Sequence, residues 1–393
     1  MKLDFPEGFI WGTSTASAQI ETASEHSWKG VQSRTGEIFD RTTDHEKRRP
    51  EDLEIIAHTG NAYRLSLDWA RLQRSPYGEF HPEVVEEYRD WLKSLKERGI
   101  HVMLVLHHFA DPKWFAAEGG FSNRKSIDIF LDFSRKMVQH FGEYADSWNT
   151  FNEPGGYMMM GYLLGIFPPW KKSYITLRRV LNNMSTAHEG AYDIIKDSYP
   201  EAPVGITKHT MVYESESLLG NFSEWWINSF YLGTIPDKFA RKADFQGLSY
   251  YGRVPLTPMP VSEIDTPGKL QERGVRHDKM WEYHPEGIAT IIRQFWKRYG
   301  NPIWITENGL CTDDDSFRQE SIRDYLKAIH STIEDGIPVE AYFHWTTWDN
   351  FEWFLGPQYR FGLYHTDFKT MERSPKPSAE LMSKIARSNS VEV

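Results

Sequence analysis

Short apolar runs alternate with longer amphipathic stretches along the chain. Phe9-Ile10-Trp11-Gly12-Thr13 reads as a β-strand that breaks into the small polar run from Ser14 to Ser17. Residues 50–59 have helical spacing, with Leu53, Ile56 and Ala57 on one side. Residues 61–66 are strand-like, and residues 82–98 predict an amphipathic helix stopped by Gly99. Residues 101–106 form a continuous apolar strand reaching His107-His108, and residues 125–141 are helical again. Ser147-Trp148-Asn149-Thr150-Phe151-Asn152-Glu153-Pro154 then ends a strand on a carboxylate and a breaker.

The second half repeats the alternation. Residues 174–196 predict a helix, 203–208 a strand, 218–228 a helix and 245–251 a strand. A Pro-rich irregular segment over 254–268 precedes a helix at 285–299. Pro302-Ile303-Trp304-Ile305-Thr306-Glu307-Asn308-Gly309 is an apolar run that stops at Glu307 before an Asn-Gly turn. A helix over 316–334, a strand over 339–345 and a closing helix over 378–387 complete the chain. Eight strands, most followed by a helix and with no linker between them, predict an α/β protein. The expected architecture is a single (β/α)8 TIM barrel domain over 1–393, with its active site at the C-terminal ends of the strands. A doubly wound open sheet would want a Gly-rich phosphate turn after the first strand. Gly12-Thr13-Ser14-Thr15 contains none.

In such a barrel the strand ends converge on one mouth. They carry Gln19 and Glu21, Arg64, His107 and His108, Asn152 and Glu153, Ser249 and Tyr251, Glu307, Trp345, and Glu352 with Trp353 in the loop beyond. Each alone could have an ordinary structural role, as an ion-pair partner, a core histidine or a turn residue. Amides, carboxylates and aromatics at nearly every strand end are harder to account for that way. The motifs of serine hydrolases and zincins are missing, and Cys311 is the one cysteine. His107 and His108 are adjacent on a strand, so they face opposite ways and cannot chelate one metal. A carboxylate pair in an aromatic, hydroxyl-binding mouth is the equipment for glycoside hydrolysis. Retention and inversion remain open at this point, because sequence does not reveal carboxylate separation.

Composition sharpens this picture. A formal net charge of −10 argues against a nucleic-acid partner, which needs a basic face. No run approaches the ~18 consecutive apolar residues of a membrane helix. The opening Met1-Lys2-Leu3-Asp4-Phe5-Pro6-Glu7-Gly8 has no apolar signal region, and a lone cysteine fits a reducing compartment, so a cytoplasmic location is expected. The acceptor-like Asn183-Met184-Ser185 and Asn221-Phe222-Ser223 are then coincidental. Aromatic residues make up 15 % of the chain, with fifteen tryptophans. Such rings stack on the C–H faces of sugars, although a large α/β core also uses many. Nothing in the composition indicates an oligomeric state.

Four motifs together carry a family resemblance. They are Phe9 to Glu21 (FIWGTSTASAQIE), Thr150-Phe151-Asn152-Glu153-Pro154, Ile305-Thr306-Glu307-Asn308-Gly309, and Trp348-Asp349-Asn350-Phe351-Glu352-Trp353 followed by Arg360-Phe361-Gly362-Leu363. In this order the chain resembles glycoside hydrolase family 1, the β-glucosidase family, from about residue 5 to residue 387. The resemblance implies a cofactor-free, metal-free retaining β-glycosidase acting by double displacement on small β-glycosides or short oligosaccharides. It implies Glu307 as nucleophile and Glu153 as acid/base, with the charge on Glu307 helping to raise the pKa of Glu153. Asn152 matches the residue that bonds the sugar 2-hydroxyl, and Arg64 and Tyr251 match groups that hold the nucleophile ionised. Gln19, His108, Glu352 and Trp353 match the hydroxyl-binding set, with Trp345 as the stacking floor and Phe361 nearby.

The chain also departs from the family pattern. Ser249 stands where an asparagine is usual, which puts one hydrogen bond near the nucleophile in question. Phe109 replaces a tryptophan and removes an indole donor from the 3-hydroxyl region. Residues 21–50 and 214–245 are shorter than in most members, which implies a more open aglycone side. Glu352, followed by Gly356-Pro357-Gln358, implies unphosphorylated glycosides, and Glu153 sets the chain apart from the thioglucosidase branch. The alternative from another class is a catalytically silent sugar-binding or scaffold protein on the same barrel.

Overall fold

The structure is a computed structural model that describes residues 1–215, 220–256 and 267–393. Eight parallel strands close a barrel in chain order: β1 (Ile10–Ser14), β2 (Ala62–Ser66), β3 (His101–His107), β4 (Ser147–Asn152), β5 (Val204–Ser215), β6 (Phe245–Leu256), β7 (Ile303–Asn308) and β8 (Val339–Trp345). The seam pairs β1 with β8, from Ile10↔Ala341 to Ser14↔Trp345. The (β/α)8 barrel expected from the alternation is therefore present.

Side chains alternate in and out along each strand. On β7, Ile303 and Ile305 point out to the helices, while Trp304 joins the barrel interior. Ala62, Met103, Phe245, Trp304, Ala341 and Phe343 fill the N-terminal end, with Phe245 stacked on Trp304 at 4.2 Å. Gly12 makes room for this plug, because a Cβ there would lie 2.6 Å from the Phe343 ring. One layer higher the interior turns polar, where Asn149, Thr207 and Thr306 hydrogen-bond one another beneath the mouth.

The outer helices show the spacing their sequences predict. Along α2 (Pro82–Glu97), Val84, Val85, Tyr88, Trp91, Leu92 and Leu95 are buried, one apolar stripe against the barrel. Around it run α1 (His45–Thr59), α3 (Ser126–Phe141), α4 (Tyr174–Ser198), α5 (Gly220–Trp226), α6 (Glu286–Tyr299), α7 (Asp315–Glu334) and α8 (Pro377–Ser388). Among the described residues no helix is long and apolar enough to cross a membrane.

The structure departs from the pattern-based expectation in two places. Helix α1 begins at His45, not at Pro50, so the proline lies inside it and one backbone hydrogen bond is forgone. The early turn is held by buried charge: His45 Nδ1 lies 2.7 Å from Asp52 Oδ2, and Arg373 Nε donates to Asp52 Oδ1 at 3.1 Å. Strands β5 and β6 also run beyond 208 and 251. After an irregularity between Thr210 and Val212 they stay paired from Val212↔Arg253 to Ser215↔Leu256. Their extension rises above the barrel rim. Of the irregular segment expected over 254–268, Val254 to Leu256 belong to β6, and 257–266 lie outside the described residues. Residues 218 and 219 of the helix expected at 218–228 lie outside them too; α5 passes into wider π-helical turns over Ile227–Thr234.

Candidate active site

Glu307 is the second-to-last residue of β7 and is only 3 % exposed. Arg64, fully buried on β2, donates from Nη1 to Glu307 Oε1 at 2.7 Å, and the Tyr251 hydroxyl donates to Oε2 at 3.0 Å. The same guanidinium donates to Ser14 Oγ (2.8 Å), Asn152 Oδ1 (2.6 Å) and Thr207 Oγ1 (3.1 Å). One arginine thus ties four strand ends together around a carboxylate. Tyr251 is held by stacking on Trp281 at 4.9 Å and by the edge of Phe361 at 5.7 Å.

Glu153 follows β4 directly and is 7 % exposed. Its backbone is left-handed, with φ 43°, unusual for a side chain of this size and more so before a proline. The turn is fixed from both sides: the Glu153 N–H donates to Thr207 O at 2.9 Å, and its carbonyl accepts from Tyr157 N at 3.0 Å. Glu153 Oε1 accepts a hydrogen bond from the Ser249 hydroxyl. This corrects the expectation that Ser249 would bear on Glu307. Ser249 is the ladder partner of Glu307, but its hydroxyl reaches the other carboxyl.

Burial pushes both carboxyls up, each to about 7. Their partners separate the roles. Arg64 and Tyr251 both donate to Glu307 and favour its anion, whereas Glu153 receives one neutral hydroxyl and feels Arg64 only at a distance. The charge of Glu153 disfavours ionisation of Glu307, and two carboxyls coupled in this way titrate as a pair. The raised pKa of Glu153 comes first from burial, where the family resemblance pointed to the charge of Glu307.

The remaining expected residues gather here, at two depths. A cavity of about 210 Å³ opens at the strand ends, lined by His108, Asn152, Glu153, Tyr251, Glu307, Trp345, Glu352, Trp353 and Phe361 among others. Gln19 and Arg64 lie behind this wall. Gln19 donates from Nε2 to Glu352 Oε2 and Phe351 O, each at 3.1 Å, so it orients Glu352. Burial together with the charges of Glu307 and Glu153 pushes Glu352 up to about 8. His108 and His107 do face opposite ways. His108 Nε2 lies 2.8 Å from Asn152 Nδ2, and its ring lies 5.7 Å from Trp345. His107 turns outward to Asp111, at 3.0 Å. Burial holds His108 well below the usual imidazole range, so it is neutral beside the Asn152 amide. Phe109 packs on Trp353 at 5.3 Å.

Pattern reading missed part of the wall. His209, Tyr213 and Arg253 line the cavity because β5 and β6 are longer than expected. Met159, Met160, Leu164 and Ile166 come from the segment after Glu153, and Ile227 and Tyr231 from one of the two regions noted as short. That region contributes to the cavity wall. Apolar residues in a helical segment read as core, and only the fold shows that these face a cavity. Among the described residues no group of three or more His, Cys, Asp or Glu is placed to hold a metal ion. The arrangement can do acid–base and nucleophilic chemistry with two carboxyls.

The model of the family described as Glycosyl hydrolase family 1 matches residues 1–218 and 234–391. Beta-glucosidase A of Thermotoga maritima is 30 % identical over 99 % of each chain. A 6-phospho-beta-galactosidase of Staphylococcus haemolyticus is also 30 % identical, over 98 % of this chain and 99 % of its own. The solved beta-glucosidase from Thermotoga maritima in complex with castanospermine superposes with a TM-score of 0.91 at 26 % identity, over 99 % of this chain and 100 % of that one.

Proposed function

The chain belongs to glycosyl hydrolase family 1 and is a retaining glycoside hydrolase of the β-glucosidase type, and on that premise we propose how Glu307 and Glu153 divide the reaction. In the first step a Glu307 oxygen bonds to the anomeric carbon while the bond to the leaving oxygen breaks. The proton on Glu153 passes to that oxygen. In the second step Glu153, now a carboxylate, takes a proton from water, whose oxygen attacks the anomeric carbon and releases Glu307. Arg64 and Tyr251 keep Glu307 anionic and aimed. Asn152, oriented by Arg64 and His108, serves the 2-hydroxyl, and Gln19, His108, Trp345, Glu352, Trp353 and Phe361 hold the sugar. One observation carries this reading: two buried strand-end carboxyls share one mouth, one bonded by a cation and a phenol and the other by a serine alone.

The substrates proposed are small, unphosphorylated β-glycosides. The T. maritima relative supports a small-molecule ligand, since it was solved with castanospermine. A phosphorylated sugar, suggested by the 6-phospho-beta-galactosidase relative, would need a free cation. Among the described residues lining the cavity the one Arg or Lys is Arg253, tied to Glu214 and Glu282. We also take residues 1–393 as one catalytic domain, supported by a family match running nearly end to end, and a cytoplasmic setting, supported by the lone buried Cys311. Hydrolysis of an aryl β-glucoside followed by ¹H NMR tests the core of the proposal: first-formed β-anomer supports it, and first-formed α-anomer contradicts it.

A further inference from the structure

We infer that Asp278 is a positioning residue for the reaction: its carboxylate fastens the turn that carries Trp281 to the chain leaving β7, and so aims the Tyr251 hydroxyl at Glu307. The inference rests on Glu307 being the nucleophile. Tyr251 needs outside support because its main chain does not fix its hydroxyl. Its carbonyl accepts from the Tyr325 hydroxyl at 2.9 Å, but the side chain can still swing within its χ1 well, and the hydroxyl at its far end moves most. The ring is held by Trp281, stacked at 4.9 Å with 27° between the planes, and by the edge of Phe361. Where Trp281 lies therefore decides where the hydroxyl points.

Trp281 lies in a turn outside the barrel strands, and Asp278 begins that turn. The Asp278 N–H donates to Trp281 O at 3.0 Å, and Asp278 Oδ1 accepts from Met280 N and Trp281 N, both at 2.6 Å. Aspartate suits this place because its short carboxylate reaches main-chain N–H groups just ahead of it. The turn packs closely on β6, where Gly252 follows Tyr251 and a Cβ would collide with Glu282 O. The other carboxylate oxygen reaches beyond the turn. Asp278 Oδ2 accepts from Cys311 N at 3.0 Å, and Lys279 N donates to Cys311 O at 2.9 Å. Cys311 stands shortly after Glu307 in the chain leaving β7. The nucleophile's strand and the support of its tyrosine partner are thus joined through one buried side chain. Burial lifts this carboxyl to about 6, opposed by the same three N–H groups and by His277 behind them. A buried charge facing main-chain donors from two segments holds both in one arrangement.

The test is a double-mutant cycle of Asp278→Asn and Tyr251→Phe, read as kcat/KM for β-D-glucosyl fluoride, whose one-atom leaving group makes no use of the cavity wall. Asparagine keeps an oxygen for the turn and sets its amide N–H against Cys311 N–H, so it opens only the link to β7. Misplacing a reacting group by about 1 Å costs on the order of 100-fold, and a partial release should cost at least about tenfold. In the Tyr251→Phe background the effect of Asp278→Asn should shrink to within about twofold. The acid limb of kcat/KM should move up in Asp278→Asn, because a displaced Tyr251 hydroxyl no longer favours the Glu307 anion. An equal loss in both backgrounds, no loss in either, or an unmoved acid limb overturns the inference and leaves the hydrolase intact. Should Asp278→Asn not fold, Trp281→Leu takes its place in the cycle, and an equal loss in both backgrounds again overturns the inference. A Tyr251→Phe variant with unchanged kcat/KM removes the pairing with Glu307 and the inference with it.

Discussion

Replacing Ser249 by alanine removes the one hydrogen bond that the Glu153 carboxyl receives among the described residues, and the consequence can be worked out in sign and size. The Ser249 hydroxyl donates to Glu153 Oε1 and favours the ionised form, opposing the burial that lifts this carboxyl to about 7. A hydrogen bond to a charged group is worth roughly 1.5–3 kcal/mol, and one pKa unit corresponds to about 1.36 kcal/mol. Only the difference between the two protonation states counts, so the expected shift is about one unit upward. The basic limb of kcat/KM reports loss of the last proton from the free enzyme's carboxyl pair. In Ser249→Ala that limb should therefore move from near 7 to near 8. The plateau should fall by about tenfold for an alkyl glucoside, whose leaving oxygen needs a well-aimed proton, and much less for a dinitrophenyl glucoside, which does not. Ser249→Thr, which keeps the hydroxyl, should restore the wild-type limb. A basic limb that stays put or moves down, in a variant with unchanged circular dichroism, would refute the claim that Ser249 acts on Glu153.

Three further expectations concern the carboxylates and their partners. Glu307→Gly and Glu153→Ala should each lose natural-substrate turnover, with azide rescuing the first to an inverted glycosyl azide and the second to a retained one; NMR of the products decides, and the opposite stereochemistry would swap the two roles. Arg64→Met should lower kcat by at least about 100-fold and raise the acid limb, since Glu307 loses its cation in a buried site; calorimetry should show a loss on the order of 3–5 kcal/mol. An unmoved acid limb would contradict the pairing. Glu352, lifted to about 8 against an ordinary 4.5, contributes stability that is fully present below pH 4.5 and lost as pH rises through 8. The Tm advantage of Glu352→Gln over wild type should therefore grow between pH 5 and pH 8, and a pH-independent difference would exclude an ionising Glu352 as its cause.

Much of the barrel and both carboxyls were legible in the sequence because short apolar runs ending in Glu153 and Glu307 fit strands that end at a polar mouth and fit little else. Strand–helix alternation then forces those ends together. Strand β8 matches its expected span, since Val339 to Trp345 is bounded by turn signals on both sides. Strands β5 and β6 ran past theirs because Val212 to Ser215 pair with a neighbouring stretch, Arg253 to Leu256, whose proline makes it read as irregular in sequence. Helix α1 started early for a tertiary reason, the buried His45–Asp52–Arg373 cluster, whose arginine lies far from the other two in sequence. The partner of Ser249 was out of reach in the same way. Two carboxylates stand near that position in the fold, and only side-chain geometry selects Glu153 over the ladder partner Glu307.

The left-handed backbone at Glu153 has an evolutionary meaning. This position combines three costs that glycine would relieve at once: a side chain at φ 43°, a carboxyl withdrawn from water, and a proton held above its usual range. For folding alone, glutamate is a poor choice there, and mutation would tend to remove it in any lineage that no longer needs hydrolysis. The acid is thus retained against the grain of the fold. Of all the residues at the mouth, it is the one whose loss would reveal first that selection for turnover had lapsed.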